Sequence, residues 1–341
     1  MALFKKGMKG KDKVDGAPSG KDGGPKGAAL QKKAPVAPEH SRIGEFVAEM
    51  RPRLKELKGS LVQVLHNPSV MLGIFFILAI VAVALLAPWI APPDPLSKDP
   101  MRIPRDYILP PRPPGTDGLI FGSGDMGLDV FYGVVWGART TIYTSLLVVS
   151  IATIIGLMLG AIAGFYGGKI DNLVMRITDM FLSLPALILA MAVSSILAKN
   201  LDSIIFALII VWWPAYARLV RGQVLAIKEN TYVEAAKAIG AKRQRILFKH
   251  VIPNSLTPLI VAVTMDIGSV ALTAAGLSYI GFGVDTGYAE WGRMVSDGQQ
   301  WFVAGYWWTV VFPGMSILLF TMGFSLVGDG LRDILDPRMK R

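Results

Sequence analysis

The 341-residue sequence contains no cysteine and only three histidines, His40, His66 and His250. Without cysteine, the chain forms neither a disulfide framework nor a thiolate metal site. The histidines are far apart, and none has a second ligand at a metal-binding spacing, so we expect no protein-bound zinc. Charged residues are also scarce, at 18% of the sequence, which is below the share typical of water-soluble domains.

Nucleotide-binding and hydrolytic motifs are missing as well. The run Gly167-Gly168-Lys169 resembles part of a phosphate-binding loop, but position 163 is not glycine, and Ile170 stands where the loop needs Ser or Thr. No pair of Asp or Glu near an apolar block resembles a general acid–base constellation. The sequence therefore predicts a chain that is not an enzyme and that binds no cofactor itself.

Long apolar blocks dominate instead. Apolar residues make up 52% of the sequence and occur in runs of about twenty, which cross a hydrocarbon core of about 30 Å as helices. We therefore predict an all-α membrane protein with six transmembrane helices, at about 70–91, 140–165, 180–198, 204–219, 256–280 and 307–327. Pro185 predicts a kink in the third helix. A short turn before that helix is predicted from Gly167, Gly168, Lys169 and Arg176.

The segments outside these helices differ in composition. Residues 1–41 are rich in Lys, Gly, Pro and Ala, which predicts a disordered basic tail without the apolar stretch of a cleaved secretory signal. Residues 42–66 repeat apolar residues at steps of three and four among Lys and Arg. This pattern predicts an amphipathic helix in the membrane interface or, alternatively, one packed on a soluble domain. Residues 92–138 form a predicted external Pro-rich segment, and 329–341 form a predicted cytoplasmic C-terminal tail.

Basic residues predict the orientation of the chain. The first 66 residues contain fourteen Lys or Arg against seven Asp or Glu, and further basic residues follow the fourth predicted span and end the chain. By the positive-inside rule these regions are cytoplasmic, and we interpret the tail as lipid-facing rather than as a nucleic-acid site. The sequence thus predicts a multi-pass protein of the cell (inner) membrane with both termini cytoplasmic. Four tryptophans are predicted to be external and to anchor the chain at the interface: Trp291, Trp301, Trp307 and Trp308.

The most informative segment is 228–254, the basic loop between the fourth and fifth predicted spans. It contains the run Glu234-Ala235-Ala236, then Gly240, and then Arg243, Arg245 and Lys249 on a second predicted short helix. Gly240 can adopt the positive φ of a sharp turn between two short helices, and Pro253 is expected to separate the second helix from the fifth span. This pattern predicts a rigid knob that docks in a pocket of another protein.

The spacing in this segment also matches a family hallmark. That hallmark is Glu-Ala-Ala, three residues, Gly, nine residues and then Ile-x-Leu-Pro, and it matches Glu234-Ala235-Ala236, Gly240 and Pro253. His250 and Ile252 replace its Ile and Leu. The segment resembles the membrane subunits of ABC importers, and specifically the oligopeptide/dipeptide/nickel branch, which commonly has HVLPN at this point.

Other segments resemble the subunit of this branch that has the longer cytoplasmic N-terminus. The matching runs are Gly115-Thr116-Asp117, Gly137-Ala138-Arg139, 277–283, 328–333 and Asp336-Pro337. The chain departs from the pattern at Gly127-Leu128-Asp129, where the family has Gly-Arg-Asp, and in the extra residues 118–126.

The resemblance implies a type I ABC importer permease fold with its core at 139–328. It implies a homologous second permease, two ABC ATPase subunits that bind ATP and Mg, and an external solute-binding protein. Alternating access would carry a peptide in the commonest case, with oligosaccharides or nickel chelates as family alternatives. Docking and coupling to the ATPases would fall to Glu234, Ala235, Ala236, Gly240, Ala241, Arg243, Arg245 and Pro253.

A different class of function is an ion-gradient-driven secondary transporter, which predicts several ionisable residues near mid-membrane. Only Asp266, in the fifth predicted span, fits that pattern. We favour helix packing for Asp266 over a place in the solute path, because Thr264, Ser269 and Thr273 are candidate interhelical hydrogen-bond partners. A non-transporting membrane anchor would leave the spacing of 228–254 unexplained.

Overall fold

The computed structural model describes residues 67–93 and 99–335, and this part of the chain contains ten α-helices and no β-strand. The helices are α1 Pro68–Ile90, α2 Val130–Tyr166, α3 Gly168–Leu182, α4 Ala186–Ile196, α5 Leu201–Ile227, α6 Thr231–Ala238, α7 Arg243–Ile246, α8 Ile252–Ile280, α9 Trp291–Val303 and α10 Trp308–Leu335. The predicted all-α fold is confirmed. The predicted tail 1–41, the predicted interfacial helix 42–66 and Asp336-Pro337 lie outside the described residues.

Five helical segments within the described ranges are long and apolar enough to cross a membrane: α1, α2, α5, α10 and the stretch from α7 through α8. Helices α3 and α4 are bent by 88° at the break between them and would make a sixth span if they are counted as one. Pro185, the predicted kink, is the N-cap of α4. With 11 residues, α4 is about 16 Å long, which is shorter than a hydrocarbon core of about 30 Å.

Helix α3 replaces the short turn that the sequence predicts after α2. Lys169 and Arg176 lie within this helix rather than in a turn, so that prediction is wrong. The charges of α3 belong to the polar face of an amphipathic helix, and its carboxylates have partners on α5. The ion pairs are Asp171–Arg221 and Asp179–Arg218, each with a nitrogen–oxygen distance of 2.5 Å.

Three long helices, α2, α5 and α10, extend beyond their predicted limits. Helix α5 continues to Ile227, beyond its predicted end at 219. Helix α2 begins at Val130 rather than near position 140, because the Asp129 carboxylate caps it by accepting from the N–H groups of Phe131 and Tyr132 at 2.9 and 3.2 Å. Residues 130–138 of the predicted external segment are therefore helical. With 37 residues, α2 is about 55 Å long. Helix α10 continues to Leu335, beyond its predicted end at 327.

The tightest helix pair is α2 with α5. Gly156, Gly160 and Gly164 recur once per turn along one side of α2 and face α5. A Cβ atom added at Gly160 would lie 2.3 Å from the carbonyl oxygen of Ala217, a distance that real side chains do not reach. The glycines therefore let the two backbones approach closely, as small residues do between membrane helices.

A second close approach joins α10 to α1 and α8. A Cβ atom at Gly73 of α1 would lie 2.8 Å from the carbonyl oxygen of Gly323, and one at Gly268 of α8 would lie 3.0 Å from that of Thr321. The Thr321 hydroxyl donates to the carbonyl oxygen of Gly268 at 3.4 Å, which adds an interhelical hydrogen bond. Helices α1, α8 and α10 thus form a packed unit beside the α2–α5 pair.

The connection between α1 and α2 is tied to the segment before α9. Two backbone hydrogen bonds join them, from Ile103 N–H to Gly287 and from Ala289 N–H to Met101, each at 2.8 Å. The extra residues 118–126 dock on α9 and α10. The rings of Phe121 and Phe312 stack with centroids 4.0 Å apart, and Trp301 Nε1 donates to Asp125 at 3.0 Å and Trp308 Nε1 to Ser123 at 3.0 Å.

The tryptophans of this end differ from the predicted interfacial anchors. Trp291 is 2% exposed, and its Nε1 donates to the carbonyl oxygen of Val134 at 3.0 Å. Trp308 is also buried, whereas Trp307 is half exposed. The anchor prediction is therefore wrong for Trp291 and Trp308, whose indoles fill the interior and satisfy backbone carbonyls there.

Candidate functional site

The candidate site is the segment 228–254, which follows α5 at the end of the molecule where α2 terminates. We call it the docking loop. Its first residue, Lys228, donates from Nζ to the carbonyl oxygen of Gly164 in the last turn of α2 at 3.1 Å. A cation at this position satisfies a free carbonyl and complements the helix dipole. The docking loop is thus attached at its start to the ends of two membrane helices.

Helix α6 is held by one face only. Val233 is 0% exposed, and Val233 and Ala236 pack in a buried cluster with Val224 of α5 and with Ile246 and Val251 further along the docking loop. Glu234 and Ala235 lie on the exposed side. The Glu234 carboxylate makes no hydrogen bond or ion pair within the described ranges, so its side chain remains available to a partner.

The turn after α6 is a Schellman motif. Gly240 has φ +79°, which confirms the predicted positive φ. The N–H of Gly240 donates to Lys237 at 3.0 Å, and the N–H of Ala241 donates to Ala236 at 3.1 Å. Ala236 and Ala241 therefore meet across the turn, and the angle between α6 and α7 depends on Gly240.

The second arm of the docking loop does not end before the next span. Helix α7 passes through a π-helical turn, Leu247–Val251, directly into α8, and Arg243–Ile280 forms one helical stretch. The predicted separation at Pro253 is wrong. Proline lacks an N–H, and the wider π turn just before it accommodates the missing hydrogen bond and the ring without a break. Asn254 Nδ2 additionally donates to the carbonyl oxygen of His250 at 2.5 Å.

The structure also shows apolar residues on the outside of the docking loop that the sequence did not single out. Ile239 is 84% exposed, and Tyr232 and Phe248 are exposed as well. Spacing alone would place Ile239 inside, three residues after Ala236 and six after Val233. Helix α6 ends at Ala238, however, so the turn directs Ile239 outward. Exposed apolar side chains beside exposed Arg243 and Arg245 are typical of a protein-binding surface.

The predicted site residues therefore fall into three groups. Ala236 is buried and Ala241 half-buried, so both hold the turn together. The exposed members of the docking loop are Glu234, Ala235, Gly240, Arg243, Arg245 and Pro253. Asp266 lies apart from them in α8, thirteen residues or about 20 Å along the helix from Pro253.

Asp266 is half-buried and lies against Tyr216 and Trp212 of α5. Its predicted interhelical partners bond within their own helix: Thr264 donates to Ile260, Ser269 to Met265 and Thr273 to Ser269. The prediction that these three hydroxyls bond a neighbouring helix is wrong, because each donates its hydrogen bond to the carbonyl oxygen four residues earlier in α8. The part of the chain that the structure describes contains no group of three His, Asp or Glu side chains that could hold a metal ion.

A bundle of membrane-length helices with an exposed two-helix loop between two of them is the arrangement expected of a multi-pass membrane protein. Residues 156–341, more than half of the chain, match the family of binding-protein-dependent transport system inner membrane components. Residues 60–111 match the N-terminal TM domain of oligopeptide transport permease C. The chain belongs to the binding-protein-dependent transport system inner membrane component family, as its sequence motifs predict.

Curated relatives agree with this assignment over most of the chain. The probable D,D-dipeptide transport system permease protein DdpC of Escherichia coli (strain K12) is 41% identical over 272 residues, covering 80% of this chain and 88% of that protein. The dipeptide permease DppC of Alkalihalophilus pseudofirmus is 39% identical, covering 86% and 91%. The oligopeptide permease OppC of Bacillus subtilis (strain 168) is 34% identical, covering 89% and 97%.

The fold is shared with a solved transporter. A chain of the MetNI methionine ABC transporter in an inward-facing conformation is 22% identical with a TM-score of 0.50, covering 60% of this chain and 97% of that chain. Together with the family match, this likeness confirms the predicted type I ABC importer permease fold. The chain is a multi-pass ABC importer permease subunit, which sets aside the ion-gradient-driven alternative.

Proposed function

We propose that the chain forms one half of a peptide channel. A homologous second permease forms the other half, an external solute-binding protein delivers the peptide, and two ABC ATPase subunits bind ATP and Mg. The relatives named for D,D-dipeptide, dipeptide and oligopeptide transport favour a peptide over the oligosaccharide and nickel-chelate alternatives.

The construction of the docking loop supports its role as the site of ATPase docking. Its inner face is fixed by the buried cluster around Val233, and its outer face presents Ala235, Ile239 and Arg245. Small and apolar side chains permit a close fit in a pocket, and the arginines supply charge-assisted contacts at its edge. Because the Glu234 carboxylate has no partner among the described residues, we assign it to docking rather than to stabilising the docking loop.

The helical stretch Arg243–Ile280 supplies a route for force. When ATP binding closes the two ATPase subunits, a displacement of α7 passes directly into α8, because no flexible segment separates them. Helix α8 packs against α5 and α10, so its tilt moves the bundle between outward-open and inward-open states. In this scheme Asp266 supports the packing of α8 on α5 beside Tyr216 and Trp212 rather than lining the solute path.

The same proposal sets the orientation of the chain in the inner membrane. The docking loop meets cytoplasmic ATPases, so the α1–α2 connection is external and both termini are cytoplasmic, in agreement with the positive-inside rule. Epitope tags at position 20 and after Arg341 should be protease-accessible only after cell lysis, whereas a tag near Lys98 should be accessible from outside. Protection of the Lys98 tag in cells with an opened outer envelope would contradict this orientation.

The docking role is tested by Ala235→Trp, with Ala235→Ser as the matched control. The side chain at 235 is exposed, so the bulky indole should leave the fold and membrane abundance unchanged while it blocks the ATPase pocket. We expect Ala235→Trp to lose peptide-stimulated ATP hydrolysis and peptide uptake in proteoliposomes, and Ala235→Ser to keep both. The purified chain alone should neither bind nor hydrolyse ATP. Normal ATP-driven uptake by Ala235→Trp would overturn the proposal.

A further inference from the structure

A cavity of about 510 Å³ lies between the docking loop and the end of α2. Phe165 and Tyr166 line it from α2, Lys228 from the end of α5, and Lys237 and Arg243 from the two arms of the docking loop. Its volume falls within the range of small-molecule sites. The cavity lies on the inner side of the docking loop, against the ends of α2 and α5, and of the exposed residues that we assign to ATPase docking only Arg243 also lines it.

The charge of this cavity is unbalanced. Three cations line it, and no carboxylate from the described residues does. The acidic group that acts on Lys228, Asp171, is already engaged in two hydrogen bonds from Arg221 at 2.5 and 2.7 Å. Lys228 also serves as a cap for α2, but Lys237 and Arg243 make no ion pair within residues 67–93 and 99–335. A concave site lined by one sign of charge concentrates ions of the opposite sign.

The position and the lining residues of the cavity favour a phosphate group as the bound anion. Tyr166 is the last residue of α2 and Lys228 directly follows α5, so the cavity lies at the ends of two membrane-length helices. In the proposed orientation this end is cytoplasmic, and the cytoplasmic leaflet carries anionic lipid headgroups. The Arg243 guanidinium offers a planar fork that fits phosphate oxygens, and the lysines add point charges around it. Phe165 and Tyr166 supply an aromatic wall of the kind that favours the headgroup layer.

We propose that this cavity binds a phosphate group, either the headgroup of an anionic phospholipid or a soluble phosphate compound. A phosphate bound there bridges Lys237 of α6 and Arg243 of α7 across the Gly240 turn. The ligand therefore stiffens the docking loop from its inner side and links its geometry to the composition of the membrane or to the soluble phosphate pool.

The test measures binding to the full chain without partner subunits, so its outcome does not depend on ATPase docking. The chain is reconstituted in phosphatidylcholine nanodiscs with or without phosphatidylglycerol, and retained phosphatidylglycerol is counted by native mass spectrometry. In a second arm, the delipidated chain is titrated with inorganic phosphate by calorimetry. The test variant is Lys237→Gln/Arg243→Gln, and the matched control is Lys169→Gln/Arg176→Gln, which removes two exposed cations outside the cavity.

The test variant should lose about fivefold in affinity for each cation removed, while the control pair keeps wild-type binding. The charge-preserving variant Lys237→Arg/Arg243→Lys should retain binding. Its retention would show that the loss in the test variant comes from the removed charge and not from misfolding. A loss confined to the nanodisc arm identifies the lipid headgroup, and a loss in the calorimetric arm identifies soluble phosphate. Equal losses in test and control variants, or no loss in either arm, would overturn the proposal.

Discussion

The α2–α5 interface and the docking loop both depend on glycine, but for different physical reasons. At Gly160 the backbone is helical and the limitation is space, since an added Cβ would lie 2.3 Å from the carbonyl oxygen of Ala217. At Gly240 an added Cβ would meet no atom within 4 Å, and the limitation is its φ of +79°. The first glycine lets two helices touch, and the second sets the direction of the chain.

The two glycines therefore serve different purposes: Gly160 is needed for folding, and Gly240 is needed for the proposed function. The glycine stripe of α2 is buried among helices that must pack before the bundle exists. Gly240 sits on the surface, in a loop whose inner face is already held by Val233 and Ala236. Damage to the stripe should therefore reduce the amount of folded protein, whereas damage to the Gly240 turn should leave folded protein that fails to couple.

The largest expected effect follows Gly160→Ala, compared with Gly222→Ala. Both changes add one methyl group to a helical glycine, but an added Cβ at Gly222 of α5 meets no atom within 4 Å. Overpacking costs about 1–3 kcal/mol, so Gly160→Ala should lower membrane abundance and the apparent melting temperature in detergent. Gly222→Ala should match the wild type. Equal stability of the two variants would show that the close approach of α2 and α5 is not required.

An intermediate effect is expected for Gly240→Val, compared with Gly240→Asn. A left-handed conformation costs an L-residue about 1–2 kcal/mol, and a β-branched residue tolerates it worst, whereas Asn adopts it readily. Gly240→Val should insert normally but co-purify with less ATPase and lose peptide-stimulated hydrolysis. Gly240→Asn should retain both properties. If Gly240→Val and Gly240→Asn behave alike, the positive φ of this turn is not required for ATPase docking.

The smallest effect concerns the ion pair between α3 and α5. Asp171 and Arg221 form two hydrogen bonds and are partly buried. Their coupling free energy should therefore be about 1 kcal/mol, at the upper end of the range for ion pairs near the protein surface. A double-mutant cycle with Asp171→Asn and Arg221→Gln, followed by thermal unfolding in detergent, should show this coupling and its weakening in high salt. Fully additive effects would indicate that α3 is held on α5 by apolar packing alone.

The features that could be predicted from the sequence are local ones. The Gly240 turn follows from a glycine at the C-terminal end of a short helix, and the family follows from the Glu234 to Pro253 spacing. The spacing of four between Gly156, Gly160 and Gly164 was equally readable and indicates a close helix contact. Asp129 was likewise a readable N-cap signal for the true start of α2.

The features that could not be predicted depend on distant partners. The charged residues of α3 were interpreted as a turn, because the arginines that pair with its carboxylates are distant in the sequence. Arg218 and Arg221 lie 39 and 50 residues after Asp179 and Asp171. Trp291 and Trp308 were expected at the interface because the carbonyls that bind their indoles, at Val134 and Ser123, lie 157 and 185 residues away. Contacts of this separation are set by the assembled bundle and not by the neighbouring sequence.

The central claim, that the docking loop contacts the ATPase subunits, is tested most directly by site-specific crosslinking. Because the chain contains no cysteine, Ala235→Cys creates a single attachment point for a photo-crosslinking maleimide, and Ile120→Cys, exposed on the α1–α2 connection, is the matched control. After assembly of the complex and illumination, an adduct with an ATPase subunit should form from position 235 and not from position 120. An assembled, ATP-hydrolysing complex that gives the adduct from position 120, or none from position 235, would contradict the account.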